Sequence, residues 1–207
     1  MKTQKTTIIA IAATVATTIT ATANADIITI DEFESFQIEG FENMPGGFVR
    51  QAVSIFDGMG EVSANNNGWI HRTSGWGFNS TVRAYEDSYF MGSGSGSVTY
   101  QFNEAQKSFG GFFATNSDKA DGSIKFFDDQ NQLLAQSTVK ADLGGAWSWN
   151  GWSLDTGFSS VEVSGNYSNG GFLMMDSIRV GPATIPAPGA IALLLTGGLV
   201  ISRRRRS

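Results

Sequence analysis

Apolar and polar residues alternate in short runs along most of this 207-residue chain. The runs "DIITIDEF", "SVTYQF", "GSIKFF" and "SVEVSG" are each bounded by Gly, Asn, Asp or Ser. A period of two places successive side chains on opposite faces of a β-strand, whereas an amphipathic helix repeats its apolar residues every three or four positions. No stretch between residues 26 and 184 sustains such a helical stripe. The pattern predicts an all-β fold, a single antiparallel β-sandwich.

Turn-forming and aromatic residues are concentrated in the same segment. Residues 26–184 contain 22 of the 25 glycines and every Trp, Tyr and Phe, a mixture typical of twisted strands joined by tight turns. The sequence "DDQNQ" between "SIKFF" and "LLAQSTV" predicts a hairpin. The glycine-rich "GSGSGS" precedes a strand and lacks the Lys and helix of a phosphate cradle, so it indicates a flexible loop or the start of a strand.

The charge of the segment disfavours one class of partner. All 19 Asp and Glu but only 8 of the 14 Lys and Arg lie in residues 26–184, which gives a net charge of about −11. Such a surface repels phosphate backbones, so nucleic-acid binding is disfavoured. The chain has no cysteine, which excludes thiol chemistry and disulfides.

The first 25 residues have the pattern of a signal peptide. Lys2 and Lys5 precede an apolar stretch, and Ala23 and Ala25 form the small-residue motif that signal peptidase cuts. The stretch is too short to span a bilayer. We expect an exported mature chain that begins at Asp26.

The last segment, residues 185–207, predicts a short membrane anchor. The apolar run from Gly189 to Ser202 would reach about 21 Å as a helix, against about 30 Å of hydrocarbon. Four arginines follow: Arg203, Arg204, Arg205 and Arg206. They should remain on the cytoplasmic side and hold residues 26–184 on the other face of the membrane.

A proline pair, a short apolar helix and a terminal arginine cluster together resemble the PEP-CTERM sorting signal of exopolysaccharide-associated Gram-negative bacteria. The resemblance implies transient anchoring in the inner membrane and processing by an exosortase. The body would then be delivered to the cell surface or extracellular matrix. Processing would fall at Pro186, Ala187 and Pro188, where Ala187 replaces the glutamate that the family name implies.

Residues 26–184 also resemble jelly-roll or carbohydrate-binding sandwiches. The shared patterns are "FENMPGGF", "SFGGFFATN", "FFDDQNQLL", "SVEVSG" and "FLMMDSIRV". In related sandwiches an acidic residue near the last strand helps to hold a structural calcium ion.

The last strand carries an acidic residue within an apolar row. Strict alternation in "GFLMMDSIRV" places Phe172, Met174, Asp176, Ile178 and Val180 on one face. A buried unpaired carboxylate costs several kcal/mol, so Asp176 needs a cation, an arginine or backbone donors. Calcium is one candidate; a local bulge that turns Asp176 outward, or a bond to a turn, is the alternative.

Tryptophans are the best candidates for ligand contact. In "AWSWNGWSL", Trp147, Trp149 and Trp152 offer flat apolar surface for a sugar ring or a protein partner. Two structural interpretations compete: an Asn150–Gly151 turn that pairs Trp149 with Trp152, or Trp147 and Trp149 together in the core. Trp69 and Trp76 allow the same interpretations.

Catalytic patterns are weak. His71 is the only histidine, no Gly-x-Ser-x-Gly elbow is present, and we expect His71 at the surface. The sequence therefore predicts a noncatalytic exported surface or matrix protein, and the PEP-CTERM resemblance implies an association with exopolysaccharide. The alternative is a carbohydrate-binding module or, more remotely, a glycan-active enzyme.

Overall fold

The computed structural model describes residues 25–35, 37–77 and 81–181. The predicted signal helix, the cleavage residue Ala23, the Pro186–Pro188 motif, the C-terminal membrane helix and Arg203–Arg206 lie outside these residues. Ala25 lies inside them, and its N–H donates to the carbonyl of Leu134 at 3.1 Å. No helix in the described part of the chain is long and apolar enough to cross a membrane.

The described residues form short and long strands separated by turns, with two single 3-10 turns at Phe56–Gly58 and Ser168–Gly170. The strands are β1 Ile27–Thr29, β2 Gln37–Glu39, β3 Gly47–Val49, β4 Val53–Ile55, β5 Gly60–Ala64, β6 Trp69–Thr73, β7 Gly75–Gly77, β8 Thr81–Arg83, β9 Phe90–Ser95, β10 Val98–Ala114, β11 Gly122–Phe127, β12 Leu133–Val139, β13 Ser148–Gly165 and β14 Leu173–Gly181.

The two longest strands, β10 and β13, run through both layers of the fold. Their first shared ladder, which includes Val98 opposite Val163, continues to β5 and β4 on one side and to β11 and β12 on the other. Their second ladder, which includes Phe109 opposite Trp152, lies between β1 and β14 and continues through β9 and β6 to β3. Register shifts between Gln101 and Ser108 mark the point where the pair changes layer. We call these layer 1 and layer 2.

Side chains from both layers meet in one core. The ring of Phe126 in layer 1 lies 6.2 Å from that of Trp152 in layer 2, and the Tyr100 hydroxyl donates to the Met175 sulfur at 3.3 Å. Every strand pair within residues 25–35, 37–77 and 81–181 is antiparallel. The predicted all-β, jelly-roll-like antiparallel β-sandwich is confirmed.

The hairpin predicted at "DDQNQ" is also confirmed, because β11 pairs with β12 across it. Asp128 Oδ1 accepts the N–H groups of Gln130 and Gln132 at 2.9 and 2.7 Å. Asn131 has a φ of 60°, the left-handed conformation that Asn tolerates at low cost. Local side-chain bonding is therefore sufficient to shape this turn.

A smaller apolar cluster lies on the outer face of layer 2, away from the main core. The hairpin of β7 and β8 covers this face. Its buried members are Trp76, Val82, Phe90, Ala114 and Met174. The outer cluster gives layer 2 two apolar faces, and its border with solvent is where the exposed aromatic residues are found.

The turn considered at Asn150–Gly151 is absent, because both residues lie within β13. The buried Asn150 side chain bonds the backbone of Lys140: its Oδ1 accepts the Lys140 N–H at 2.7 Å and its Nδ2 donates to the Lys140 carbonyl at 2.9 Å. The side-chain amide of Asn150 is therefore engaged in a tertiary contact and does not stabilise a turn.

The single-face prediction for the last strand is wrong. Met174 joins the outer cluster, whereas Ile178 and Val180 enter the main core. Between them, Ser177 has a φ of 47°, and three steps along β14 from Asp176 to Arg179 match two along β10. This bulge reverses the alternation, so the strand changes faces at Ser177.

Candidate functional site

An open groove bordered by aromatic rings lies at the edge of layer 2. It has a volume of about 300 Å³. The side chains that form it, here called the aromatic groove, are Phe48 of β3, Trp69 and His71 of β6, Trp76 of β7 and Phe172 just before β14.

Strand alternation explains why these rings converge. In β6, Ile70 is buried in the core, so its neighbours Trp69 and His71 lie on the outer face. Phe48 is directly opposite His71 in the β3–β6 ladder. Because β3 is at the end of the sheet order, Phe48 is 69% exposed while Val49 is buried.

The rings contact one another in defined geometries. Trp69 and Trp76 stack with centroids 5.7 Å apart and planes 6° apart. Phe48 stacks on His71 at 4.3 Å and meets Trp69 edge-on at 4.6 Å. Phe172 meets Trp76 edge-on at 6.1 Å. The groove therefore has a packed aromatic wall with Phe48 projecting from it.

Two glycines of β9 make room for the indoles. A Cβ at Gly94 would approach the Trp69 ring to 1.7 Å, and one at Gly92 would approach the Trp76 ring to 2.5 Å. These are the first two glycines of "GSGSGS", whose first four residues form the end of β9 and whose last two lead into β10. Glycine is required at both positions because the rings lie close to the backbone.

A second groove adjoins the first and shares Phe48 and Trp69 with it. It has a volume of about 520 Å³ and is also lined by Arg50 and Gln51. Arg50 Nη1 donates to the carbonyl of Asn67 at 3.2 Å. We call this the Arg50 groove; it places polar donors beside exposed aromatic surface.

His71 differs from the surface residue that was predicted. It is half-buried among Phe48, Trp69 and Trp76. Burial lowers the pKa of His71 from its ordinary value of 6.5. The imidazole is therefore neutral at neutral pH and contributes a flat ring to the groove wall.

The predicted tryptophan trio does not form one platform. Trp152 is buried in the main core, whereas Trp147 and Trp149 are half-buried on the outer face of layer 2. Trp147 Nε1 donates to the Arg83 carbonyl at 2.8 Å, and Trp149 Nε1 donates to the Ile30 carbonyl at 3.1 Å. Trp152 therefore cannot share an exposed stacking face with the other two, and stacking at Trp147 and Trp149 stays a prediction.

Asp176 is fully buried and is bonded by backbone amides. Its Oδ2 accepts the N–H groups of Tyr85 and Glu86 at 2.8 and 3.3 Å, and its Oδ1 accepts that of Ser177 at 2.7 Å. Burial raises the pKa of Asp176 from 3.8 to about 7, although these three bonds act in the opposite direction. The backbone-donor interpretation accounts for the carboxylate.

The donors around Asp176 do not fit a calcium ion. Amide N–H groups direct positive charge at both carboxylate oxygens, whereas calcium requires six to eight oxygen ligands. Glu86 is the nearest second carboxylate, and its Oε2 accepts the Ser177 hydroxyl at 2.7 Å. No group of three or more potential metal-binding side chains occurs in residues 25–35, 37–77 and 81–181. Calcium at Asp176 stays a prediction of the sequence that these contacts do not support.

The sequence did not indicate Phe48 as a site residue, and it predicted His71 at the surface rather than in a groove wall. A single Phe in "PGGFVR" has no distinguishing local pattern, and its position on an edge strand depends on pairing with β6. Trp69 and Trp76 did carry a usable signal, since each lies beside a glycine in "NGWIHRTSGWG".

Among the solved structures that resemble this chain, two are described here, and both are distant likenesses. The enzymatically active domain of tailspike protein 4 from bacteriophage CBA120 has a TM-score of 0.36 and 14% identity, and covers 58% of this chain and 18% of its own. A mutant of CBM29-2, a family 29 carbohydrate-binding module, has a TM-score of 0.39 and 11% identity. The aligned region covers 85% of this chain and 99% of the module. At these values neither likeness assigns a function.

The sequence itself matches no protein-family model. No curated protein matches it either.

Proposed function

We propose that this chain is an exported, noncatalytic protein of the cell surface or extracellular matrix, and that its β-sandwich binds polysaccharide through the aromatic groove. One observation carries the binding role. Phe48 is 69% exposed on an edge strand, yet its ring is held against His71 and Trp69. An exposed ring that is held in place offers a face on which a sugar can stack at little entropic cost.

The surroundings of Phe48 support a binding role. Saccharide recognition combines flat apolar faces with a few convergent polar groups. The Arg50 groove supplies a guanidinium and a carboxamide next to Phe48 and Trp69. Solvent reaches both grooves, and they meet at the same ring.

A noncatalytic role is proposed because of the chemistry of the groove linings. Glycoside cleavage uses a pair of carboxylic acids on either side of the scissile bond. The described residues that line the two grooves include one His and one Arg but no Asp or Glu. We expect bound polysaccharide to be retained without release of new reducing ends.

Binding can be measured by native affinity electrophoresis of the full-length chain in gels containing single polysaccharides. We expect retardation by at least one polysaccharide, and loss of it in Phe48→Ala. Ile28→Ala is the matched control, because Ile28 is 59% exposed on β1 at the opposite edge of layer 2. Equal retardation of both variants, or no retardation of the parent chain by any polysaccharide, would reject the role of the groove.

Export and sorting are proposed from the two ends of the sequence. Ala23 and Ala25 would direct signal peptidase, and the Pro186–Pro188 motif with Arg203–Arg206 would direct membrane retention and exosortase-type processing. Mass spectrometry of the protein from its native host should find Asp26 at the amino end and a carboxyl end near Pro188. A cytosolic chain with both ends intact would contradict this proposal.

A further inference from the structure

We propose that the Arg50 groove selects polysaccharides that carry carboxylates, with a uronic acid ring against Phe48 and its carboxylate against Arg50. This inference rests on the proposed function and adds the chemical class of the ligand. Its starting point is that Phe48, Trp69, Arg50 and Gln51 line one groove.

Arg50 is a cation in a segment whose net charge is strongly negative. Residues 26–184 carry only eight Lys and Arg against 19 acidic residues. Among the described lining residues of the Arg50 groove, the guanidinium is the one charged group. A cation is thus placed in the groove of a strongly acidic domain, beside the most exposed ring among the described residues.

Arg50 also retains donors for a ligand. Its Nη1 donates to the Asn67 carbonyl at 3.2 Å, which orients the side chain. It forms no salt bridge with any acidic side chain that the structure describes. A guanidinium has five N–H donors in a planar fork, so the remaining donors suit a carboxylate.

Arg72 of β6, the strand paired with β3, is already engaged. Arg72 Nη2 donates to the Glu42 carbonyl at 2.6 Å, and the guanidinium lies 3.6 Å from the centre of the Tyr89 ring. Arg72 therefore serves the packing of the sheet edge. Arg50 is the arginine that the groove presents to solvent.

Uronic acids match this combination of groups. A pyranose ring presents C–H groups on its face, which pack on an aromatic ring, while its carboxylate projects from the ring edge. A carboxylate at contact distance from Arg50 forms charge-assisted hydrogen bonds. Repulsion from the acidic surface acts over longer distances and is screened beyond about 8 Å at physiological ionic strength. A carboxylate at Arg50 is therefore governed more by the adjacent guanidinium than by the acidic residues farther away.

The test compares two forms of one polymer. Polygalacturonate and its fully methyl-esterified form share a backbone and differ in charge. We expect the full-length chain to bind the free acid about tenfold more tightly, because a charge-assisted pair contributes more than a neutral contact. Arg50→Gln should reduce that preference to less than about threefold, and Arg50→Lys should retain part of it.

Lys140→Gln is the matched control, since it removes the same charge from an exposed site at the end of β12 in layer 1. Its preference should equal that of the parent chain. Equal binding of the two polymers by the parent chain, or a preference that survives Arg50→Gln, would overturn the inference. Retention by neutral glucomannan that depends on Phe48 but not on Arg50 would overturn it while leaving the proposed function intact. Failure to bind either form of polygalacturonate would also overturn the inference, whereas the proposed function is decided by the wider set of polysaccharides.

Discussion

At the residue scale, the aromatic groove depends on two positions that have no side chain. Gly92 and Gly94 let the indoles of Trp76 and Trp69 lie against the backbone of β9. The stacked indoles in turn support the edge-on contact of Phe48 with Trp69. A change beneath the rings should therefore alter the surface above them.

We expect Gly94→Ala to lower the free energy of unfolding by about 1–3 kcal/mol, because the added methyl group overlaps Trp69. Urea denaturation measures the stability, and affinity electrophoresis should show weakened polysaccharide binding. Gly40→Ala is the control, since the nearest atom to its Cβ would be 4.0 Å away. Equal effects of the two substitutions would contradict this role of Gly94.

Asp176 is the residue whose charge the fold perturbs most clearly. Burial raises its pKa to about 7, so the native state binds the proton more tightly than the unfolded chain does. Its contribution to stability is therefore complete below the ordinary pKa of 3.8 and is lost as the pH rises through about 7.

Asp176→Asn should accordingly become more stable relative to the parent chain between pH 5 and pH 8, by on the order of a few kcal/mol. The asparagine stays neutral, whereas the parent carboxyl loses its proton in a buried site. Urea denaturation at both pH values provides the comparison. Asp129→Asn, at an exposed turn position, should show a nearly constant difference. A constant difference for Asp176→Asn as well would refute the assignment.

At the element scale, the bulge in β14 decides which side chains reach the core. Met175 faces the main core before the bulge, and Ile178 does so after it. Ser177 adopts the left-handed conformation, and its hydroxyl donates to Glu86. The element thus combines a backbone requirement with a side-chain bond to the segment that covers Asp176.

Replacement of Ser177 can separate the two contributions. Ser177→Val loses the hydroxyl and forces a β-branched residue into a left-handed conformation, so we expect a loss of about 2–4 kcal/mol. Ser177→Gly loses only the hydroxyl and should cost about 1 kcal/mol, since glycine adopts this conformation readily. Chemical denaturation would measure both; equal losses would mean that the conformation is not required.

At the scale of the whole molecule, the sandwich is held together without cysteine. The strands β10 and β13 continue from layer 1 into layer 2, and one core cluster includes side chains from both layers. The backbone amides around Asp176 satisfy the one fully buried carboxylate of the last strand. Apolar packing and backbone pairing are therefore the main sources of stability.

We expect a calcium chelator to leave the Tm of the full-length chain unchanged, because backbone amides already bond both carboxylate oxygens of Asp176. Differential scanning calorimetry with and without EDTA tests this directly. Addition of excess calcium to the chelated sample is the control. A Tm that falls with EDTA and returns with calcium would establish the ion that the sequence suggested.

Local pattern was sufficient for the strands and for the β11–β12 hairpin, because alternation and turn chemistry act between near neighbours. It could not place Asn150, whose amide bonds to Lys140, or the face reversal at Ser177, which depends on pairing with β10. It also identified tryptophans but could not separate the buried Trp152 from Trp69 at the groove. Burial and convergence depend on which strands pair and how the layers stack, and those contacts join residues far apart in the chain.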